Sequence, residues 1–176
     1  MTIRSKQKLV SPKPFNIVLV EPEIPPNTGN IARLCAATSS RLHLVHPLGF
    51  KIDDSKLKRA GLDYWHLLDI TEYENWDKFY SANFNQTKSN FWFLSTRGEK
   101  NIWDVEFNPG DYLIFGSETR GLDEKIINSY MENTVSIPMN GKTRSVNLAT
   151  SVGIVLYEAL RQSVVKKQIM IQDIGV

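Results

Sequence analysis

The sequence predicts an α/β protein with a mostly parallel open sheet flanked by helices. Short apolar runs of strand type alternate along the chain with segments whose apolar residues recur at helical spacing. Such alternation is typical of parallel sheets. The chain has 176 residues, of which 41% are hydrophobic, so it is long enough to bury the core of one domain.

Six strands are predicted from runs rich in Val, Ile, Leu and Phe that end at Pro, Gly or polar residues. A continuous apolar run such as IVLV is typical of a buried strand. The six segments are FNIVLVEP (15–22), RLHLVHP (41–47), HLLDIT (66–71), FWFLST (91–96), DYLIFGS (111–117) and TVSIPM (134–139).

Five helices are predicted between and after these strands. The first begins at a Pro pair with Asn27 or Thr28 as its N-cap, and its apolar residues Ile31 and Leu34 follow at helical spacing. The last is apolar nearly all round. The five segments are PPNTGNIARLCAATS (25–39), DDSKLKRAG (53–61), EYENWDKFYSA (72–82), DEKIINSYM (123–131) and VNLATSVGIVLYEALRQ (146–162).

The composition excludes several classes of protein. Cys35 is the single cysteine, which excludes an intrachain disulfide framework and a Cys-rich zinc site and favours a reducing compartment. Cys35 also falls in the apolar pattern of the first helix, so it is interpreted as a core residue. The formal net charge of +2 does not by itself indicate a nucleic-acid binder.

We expect a cytoplasmic protein. No apolar run approaches the roughly 20 residues of a membrane span. The N-terminal segment, which contains Arg4, Lys6, Lys8 and Lys13, lacks the apolar core of a secretory signal. An organelle-targeting role for this basic segment stays open.

Three familiar site motifs are absent or incomplete. NGKT (140–143) matches the end of a phosphate-binding P-loop, but Ser136 stands where that motif needs glycine. No G-x-G-x-x-G follows the first strand, so a classical dinucleotide site is not expected. His43, His46 and His66 show no metal-ligand spacing, and no metal site is predicted.

Three polar clusters follow predicted strands. They are PPNTGNIAR (25–33), GSETRGL (116–122) and PMNGKTRSVN (138–147), with STRG (95–98) as a weaker fourth. Because ligands of open α/β sheets bind beyond the carboxyl ends of the strands, we expect one site built from these loops.

Each cluster also has a purely structural interpretation. In this interpretation Asn27 and Asn147 are helix caps and nothing more. Glu118 and Arg120 can form an ordinary surface ion pair, and Arg33 can be a solvated helix residue. The residues alone leave these alternatives open.

Taken together, the three clusters resemble the three motifs of the SPOUT, or α/β-knot, RNA methyltransferases. The likeness is closest to the small single-domain tRNA (cytidine/uridine-2'-O-)-methyltransferases that act on the wobble nucleotide, and EPEIPPNTGN and LKRAGLDYW resemble that subfamily too. Ser117 stands where many relatives have Pro. The motifs are PPNTGNIARLCAAT, DYLIFGSETRGL and IPMNGKTRSVNLATSVGIVLYEALRQ.

The resemblance covers residues 15–162, which we therefore expect to be the methyltransferase domain. Residues 1–14 would be a basic, flexible arm and residues 163–176 a tail. The family fold implies that the C-terminal part of the sheet forms a deep trefoil knot, an exception among proteins. The family cofactor is S-adenosyl-L-methionine, with S-adenosyl-L-homocysteine as product and no metal. By resemblance the cofactor-binding residues are Leu94, Thr96, Gly116, Glu118, Gly121, Ile137, Met139, Ser145 and Leu148.

The resemblance also assigns residues to chemistry and to RNA. The catalytic residues would be Arg33, Glu118, Ser145 and Asn147. A guanidinium gives up protons poorly, so Arg33 suits phosphate binding and charge stabilisation better than it suits the role of a base. The RNA-binding residues would be Asn27, Asn30, Arg33, Lys58, Arg59, Arg120 and Arg144.

The expected partners are tRNA and a second copy of the chain, without a membrane. Family members are dimers, and the all-round apolar last helix agrees with burial on several faces. An ordinary core helix explains that pattern almost as well. Two other functions stay open: 2'-O-methylation at another tRNA position or in rRNA, and a non-catalytic RNA-binding dimer.

Overall fold

A computed structural model of the chain describes residues 7–11, 13–52 and 68–173. Nine strands and four helices are formed within these ranges. The strands are β1 (Gln7–Val10), β2 (Asn16–Val20), β3 (Arg41–Val45), β4 (Ile70–Tyr73), β5 (Phe91–Leu94), β6 (Lys100–Asn101), β7 (Tyr112–Phe115), β8 (Thr134–Ser136) and β9 (Met170–Asp173). The helices are α1 (Pro25–Thr38), α2 (Trp76–Asn83), α3 (Glu124–Ser129) and α4 (Leu148–Val165), and Met131–Asn133 is a 3-10 turn.

Seven of the strands form one parallel sheet in the order β4-β3-β2-β7-β5-β8-β6. This confirms the predicted α/β class and the parallel sheet. Since all the strands run in the same direction, their carboxyl ends and the loops that follow them share one edge.

The sheet separates two apolar layers. Ile17 and Leu19 of β2 pack into the layer that contains residues of α1 and α4. Val18 and Val20 face the other layer, which contains Phe79 of α2 and a residue of α3. The strand period of two therefore places consecutive apolar residues in different layers, which is why the run IVLV lacks polar positions.

One predicted helix is wrong at its start. Glu72 and Tyr73, which were predicted to open the helix 72–82, pair with β3 as the end of β4. The helix begins only at Trp76, because Asn75 caps it by accepting a hydrogen bond from the backbone N–H of Lys78 at 3.0 Å. The predicted helix 53–61 lies outside the described residues.

The other predicted helices are confirmed with small changes at their ends. Helix α4 begins at Leu148 after the cap Asn147 and continues to Val165, three residues past its predicted end. The strands β1, β6 and β9 were not predicted, because each is short and lacks an apolar run.

The two chain ends meet in a separate antiparallel ribbon. Gln7–Val10 pairs with Met170–Asp173, so the structure places this part of the predicted arm in a strand, against the predicted tail. Leu9 packs against the α1/α4 layer, and Ile169 is buried there. Within the described residues, no helix is long and apolar enough to cross a membrane.

Cys35 and His43 are buried structural residues. Burial raises the pKa of Cys35 to about 12, so its thiol is a core group and a poor nucleophile. The His43 ring lies between the Tyr73 hydroxyl and the Asn16 amide oxygen, each 3.2 Å from a ring nitrogen. The Asn16 amide nitrogen donates to the carbonyl of Gly110, so its oxygen faces His43 as an acceptor. This arrangement matches a neutral imidazole with one donor and one acceptor nitrogen.

The burial of His43 makes folding stability depend on pH. Desolvation lowers its pKa from 6.5 to about 4, so between these values the unfolded chain binds a proton that the native protein does not. Stability should therefore fall as the pH drops from 6.5 to 4, by up to about 3 kcal/mol from this residue. Urea unfolding of the wild type and His43→Gln at pH 7, 5.5 and 4.5 measures it. An equally steep fall in both proteins would contradict the prediction.

Candidate active site

The three polar clusters converge on one cleft at the carboxyl edge of the sheet. The cleft has a volume of about 420 Å³ and is lined by residues that follow β5, β7 and β8, and by the start of α4. This size is within the range of small-molecule sites. The predicted location of the site, beyond the strand ends, is therefore where the described residues form a cavity.

All nine residues that were expected to bind a cofactor line this cleft. Apolar side chains from three strand ends and from α4 supply part of its wall, and hydroxyl groups and backbone supply the rest. The nine residues are Leu94, Thr96, Gly116, Glu118, Gly121, Ile137, Met139, Ser145 and Leu148.

Gly116 lets the loop after β7 fold back onto its own strand. A Cβ at this position would lie 2.0 Å from the carbonyl carbon of Gly121 and 2.1 Å from the backbone nitrogen of Leu122. Ser117 and Gly121 form an antiparallel bridge, and Gly121 has a positive φ of 71°. Glycine is required at 116 by contact and is favoured at 121 by conformation. The two glycines create the tight turn that forms one wall of the cleft.

Glu118 is held by the start of α1. Its carboxylate accepts hydrogen bonds from the backbone N–H groups of Glu23 (2.7 Å) and Ile24 (3.2 Å) and from the Asn27 amide (2.9 Å). The N-cap residue of α1, Ile24, makes no side-chain cap of its own. Glu118 follows β7, the neighbour of β2, and supplies an acceptor and a negative charge at the start of α1, where both are stabilising.

Asn27 and Asn147 extend this connection to the third cluster. The Asn147 amide nitrogen donates to the Asn27 amide oxygen at 2.9 Å. The Asn147 amide oxygen accepts from the backbone N–H groups of Ala149 and Thr150 and so caps α4. The prediction that Asn147 caps a helix is confirmed, whereas Asn27 does not cap α1 and instead joins Glu118 to Asn147. The three residues form a chain of hydrogen bonds, here called the 118–27–147 chain.

A second set of contacts fastens the same loop to the segment after β2. Glu23 accepts from the backbone N–H and the hydroxyl of Thr119, at 3.1 and 2.7 Å. Arg120 pairs with Glu21 at 3.0 Å, and the Arg144 guanidinium donates to the Thr119 carbonyl. The alternative ion pair between Glu118 and Arg120 is not formed, since each contacts the segment after β2.

Sequence reasoning missed Glu21 and Glu23. Both are carboxylates that stand directly beside a strand end, in EPE (21–23), and that position was the available signal. Their role is visible only once residues about 95 positions away are folded against them.

The remaining predicted residues have different locations. Arg120, Arg144, Ser145, Asn27 and Asn147 line the cleft. Asn30 and Arg33 lie exposed on α1 and are not among the cleft residues. Lys58 and Arg59 lie outside the described residues. In the part of the chain that the structure describes, no cluster of three His, Cys, Asp or Glu residues is arranged to hold a metal ion.

A model of the SpoU rRNA methylase family matches residues 14–157, most of the chain and all three clusters. The chain belongs to the SpoU rRNA methylase family. This confirms the family resemblance seen in the sequence motifs.

Relatives in this SpoU family are similar over nearly their whole length. A tRNA (cytidine(34)-2'-O)-methyltransferase of Saccharophagus degradans is 50% identical over 149 residues, 84% of this chain and 95% of the relative. A protein of the same name from Escherichia coli K12 is 47% identical over 84% of this chain and 93% of its own.

Solved structures of SpoU-type proteins share the fold. One, from work on the 2-OH methylation of C/U34 on tRNA, superposes with a TM-score of 0.82 at 44% identity, covering 87% of this chain and 98% of that chain. The SpoU methyltransferase AviRb of Streptomyces viridochromogenes, in complex with the cofactor AdoMet, gives a TM-score of 0.74 at 25% identity over 86% of this chain and 59% of that chain.

In this SpoU-family chain, we predict that Glu118 contributes strongly to stability. Glu118→Ala removes the acceptor of three hydrogen bonds and should lower the free energy of unfolding by on the order of 3 kcal/mol. The matched control is Glu124→Ala, which breaks an ion pair with Arg97 at 2.7 Å and should cost less than about 1 kcal/mol because both partners are exposed. Urea denaturation compares them.

The same experiment with Asn147 tests whether the hydrogen bonds of the 118–27–147 chain depend on one another. Glu118→Ala and Asn147→Ala should be non-additive, because both depend on the orientation of Asn27. Equal losses for Glu118→Ala and Glu124→Ala, together with additive effects at 118 and 147, would contradict the assignment of a connected chain.

Proposed function

We propose that the protein transfers a methyl group from S-adenosyl-L-methionine to the ribose 2'-hydroxyl of nucleotide 34, the wobble nucleotide, in the anticodon loops of tRNA. The observation that most strongly supports this proposal is that relatives named for this activity are 47–50% identical over almost their full length. The three motifs that define their site are complete in this chain and meet at one cleft. The target would be cytidine or uridine.

The cleft is suited to this cofactor. Leu94, Ile137 and Leu148 offer an apolar wall for a planar base, and Gly116 lets backbone groups approach closely. Thr96 and Ser145 offer hydroxyl groups for polar edges. When bound, S-adenosyl-L-methionine supplies a methyl group on a positively charged sulfur, and transfer to a hydroxyl needs no metal.

The chain's own residues would orient the ribose and manage the proton of its hydroxyl. Glu118 already accepts three hydrogen bonds from α1 and its preceding segment, so we propose that it holds the wall of the cleft instead of acting as the base. Ser145 is exposed on the cleft and can donate to or accept from an incoming hydroxyl. Alignment of the reacting atoms, which the rigid loop provides, is the main requirement of such a transfer.

We also propose that the C-terminal part of the sheet is knotted as in related proteins. Strand β8 pairs between β5 and β6 at one side of the sheet. Helix α4 then returns across the sheet to pack beside α1. The tRNA substrate places the protein in the cytoplasm in this proposal.

The active species in this proposal is a homodimer joined through α4. Five of the seven large hydrophobic side chains that are exposed among the described residues lie in α4 and β9. Ile154, Tyr157 and Val165 recur on the outer face of α4, and Met170 and Ile171 of the ribbon are exposed as well. A second copy of the chain would bury this apolar surface, which a monomer leaves in water.

In this dimer Arg33 would act in the cleft of the partner, because it does not line the cleft of its own chain. Arg33 is exposed on α1, and α1 packs beside α4; in the dimer that we propose, the partner's cleft faces this side of α1. We propose that Arg33 of one protomer grips a phosphate beside the target ribose, and stabilises negative charge on the 2'-oxygen, in the cleft of the other.

The first test is where methyl groups are added. Purified protein with S-adenosyl-L-methionine should methylate unmodified tRNA at nucleotide 34, as mapped by mass spectrometry of nuclease fragments. A matched tRNA with 2'-deoxyribose at nucleotide 34 removes the attacking oxygen and should accept no methyl. Methylation at another tRNA position or only in rRNA would support the second function, and cofactor or RNA binding without transfer would support the non-catalytic one.

The second test mixes two inactive variants. Arg33→Ala lacks the guanidinium, and Gly116→Ala disrupts the cleft because its Cβ would lie 2.0 Å from the Gly121 backbone. Each alone should lose activity by about 100-fold or more. After mixing and re-equilibration, half of the dimers are heterodimers with one complete site of two, so about a quarter of wild-type activity should return.

The control for complementation is the interface itself. Adding Tyr157→Glu to both variants buries a charge in the proposed interface and should give monomers by light scattering and no recovery. No recovery in mixtures that still form heterodimers would contradict the role of Arg33 in the partner's cleft.

A further inference from the structure

A second cleft lies behind the loop that forms the wall of the first. It has a volume of about 730 Å³ and lies between α2 and α3 at the carboxyl edge of the sheet. Ser117, Arg120, Gly121 and Leu122 line both cavities, and so does Glu124 at the start of α3. A single loop therefore separates the second cleft from the proposed methyl-transfer site.

The side of the second cleft away from this loop is aromatic. Trp76 and Tyr80 of α2 line it together with Tyr130, which follows α3. The three rings are only half-buried, so each keeps part of its surface towards the cavity.

These rings are held in place by a rigid aromatic layer. Tyr130 stacks on Phe93 with ring centroids 4.7 Å apart and an angle of 7° between the planes. Tyr80 stacks on Phe84 at 4.3 Å, and Trp76 packs on Phe79 at 5.3 Å. Because their orientations are set by this packing, they can receive a planar ligand without losing much conformational freedom.

The charges around the second cleft argue against a phosphate as its occupant. Four carboxylates line it, from Glu21, Asp77, Asp123 and Glu124, whereas the lining cations are Arg120 and Lys125. Aromatic faces with carboxylates at the edge match a nucleobase, whose ring stacks and whose amino groups donate hydrogen bonds.

We propose that the second cleft binds an unpaired nucleobase of the RNA substrate, from a nucleotide adjacent to the one that is methylated. The base stacks on Tyr80, which lines this cleft and is itself stacked on Phe84, while the neighbouring ribose occupies the first cleft, on the other side of the 117–122 loop. This rests on the proposed function for the identity of the RNA. It adds a recognition subsite that requires the bases around the target to be splayed out of a stack.

The test measures whether one side chain, Tyr80, interacts with one base of the RNA. Anticodon stem-loop RNAs are prepared with an abasic nucleotide at position 33 or at position 35, and binding and single-turnover methylation are measured with each. For the wild type, one of the two abasic RNAs should bind about 10-fold or more weakly than the intact RNA, the loss expected from one stacked base. In Tyr80→Leu, the same abasic nucleotide should cost less than about 2-fold, because the stacking partner is already gone.

The matched control is Trp103→Leu. Trp103 is the most exposed tryptophan among the described residues at 67% and lines neither cleft, so this variant should keep the full abasic penalty. A second measurement needs no variant: 2-aminopurine at the sensitive position should lose fluorescence when the wild type binds, since stacking on an aromatic ring quenches it.

The outcomes separate this inference from the proposed function. If nucleotide 34 is methylated but the abasic penalty is the same in the wild type and Tyr80→Leu, or absent from both, the second cleft does not bind a base. If Tyr80→Leu fails to fold, unquenched 2-aminopurine at both positions overturns the inference. If intact RNA is not methylated at nucleotide 34 at all, the proposed function fails instead.

Discussion

The structure of this protein depends on the hydrogen bonds that Glu118 accepts. A loop after a central strand carries a carboxylate that completes the start of a helix formed by residues about 95 positions earlier. Through Asn27 the same carboxylate is connected to Asn147, which caps the last helix. Three segments that are far apart in sequence are thereby held at fixed positions around one cleft.

This arrangement separates the residues that hold the loops of the site together from the residues that are proposed to contact the substrate. The polar groups of the loops are largely engaged with one another: Glu118 with Asn27 of α1, Glu23 with Thr119, and Arg120 with Glu21. A rigid wall of this kind suits a transfer in which alignment contributes more than acid–base chemistry. Ser145 lies exposed on the cleft, and the proposed dimer is what brings Arg33 to a site.

The loop 117–122 also lines the second cleft, whose other lining residues include the aromatic side chains Trp76, Tyr80 and Tyr130. Phe93 lies in β5, an interior strand of the sheet, and stacks on Tyr130, so the packing of the sheet fixes a ring that lines the second cleft. A close turn at Gly116 makes the separating wall only one loop thick. One glycine therefore shapes both cavities, because a side chain at this position would displace the loop from the strand.

The sequence by itself determined the fold class, the segments that form the buried strands and the edge of the sheet where the site forms, because these follow from apolar periodicity and from polar residues at strand ends. It also identified nine residues that line the first cleft, through motifs that resemble those of the SPOUT methyltransferases. The local helical pattern gave a wrong prediction at Glu72 and Tyr73, where pairing with β3 outweighed helix formation. The tertiary structure alone decided that Glu118 serves α1, that Glu21 and Glu23 hold the loop, and that a second aromatic cleft lies behind it. Those roles arise from contacts between residues 50 to 120 positions apart, and no local pattern in the chain encodes which of its many polar groups will meet.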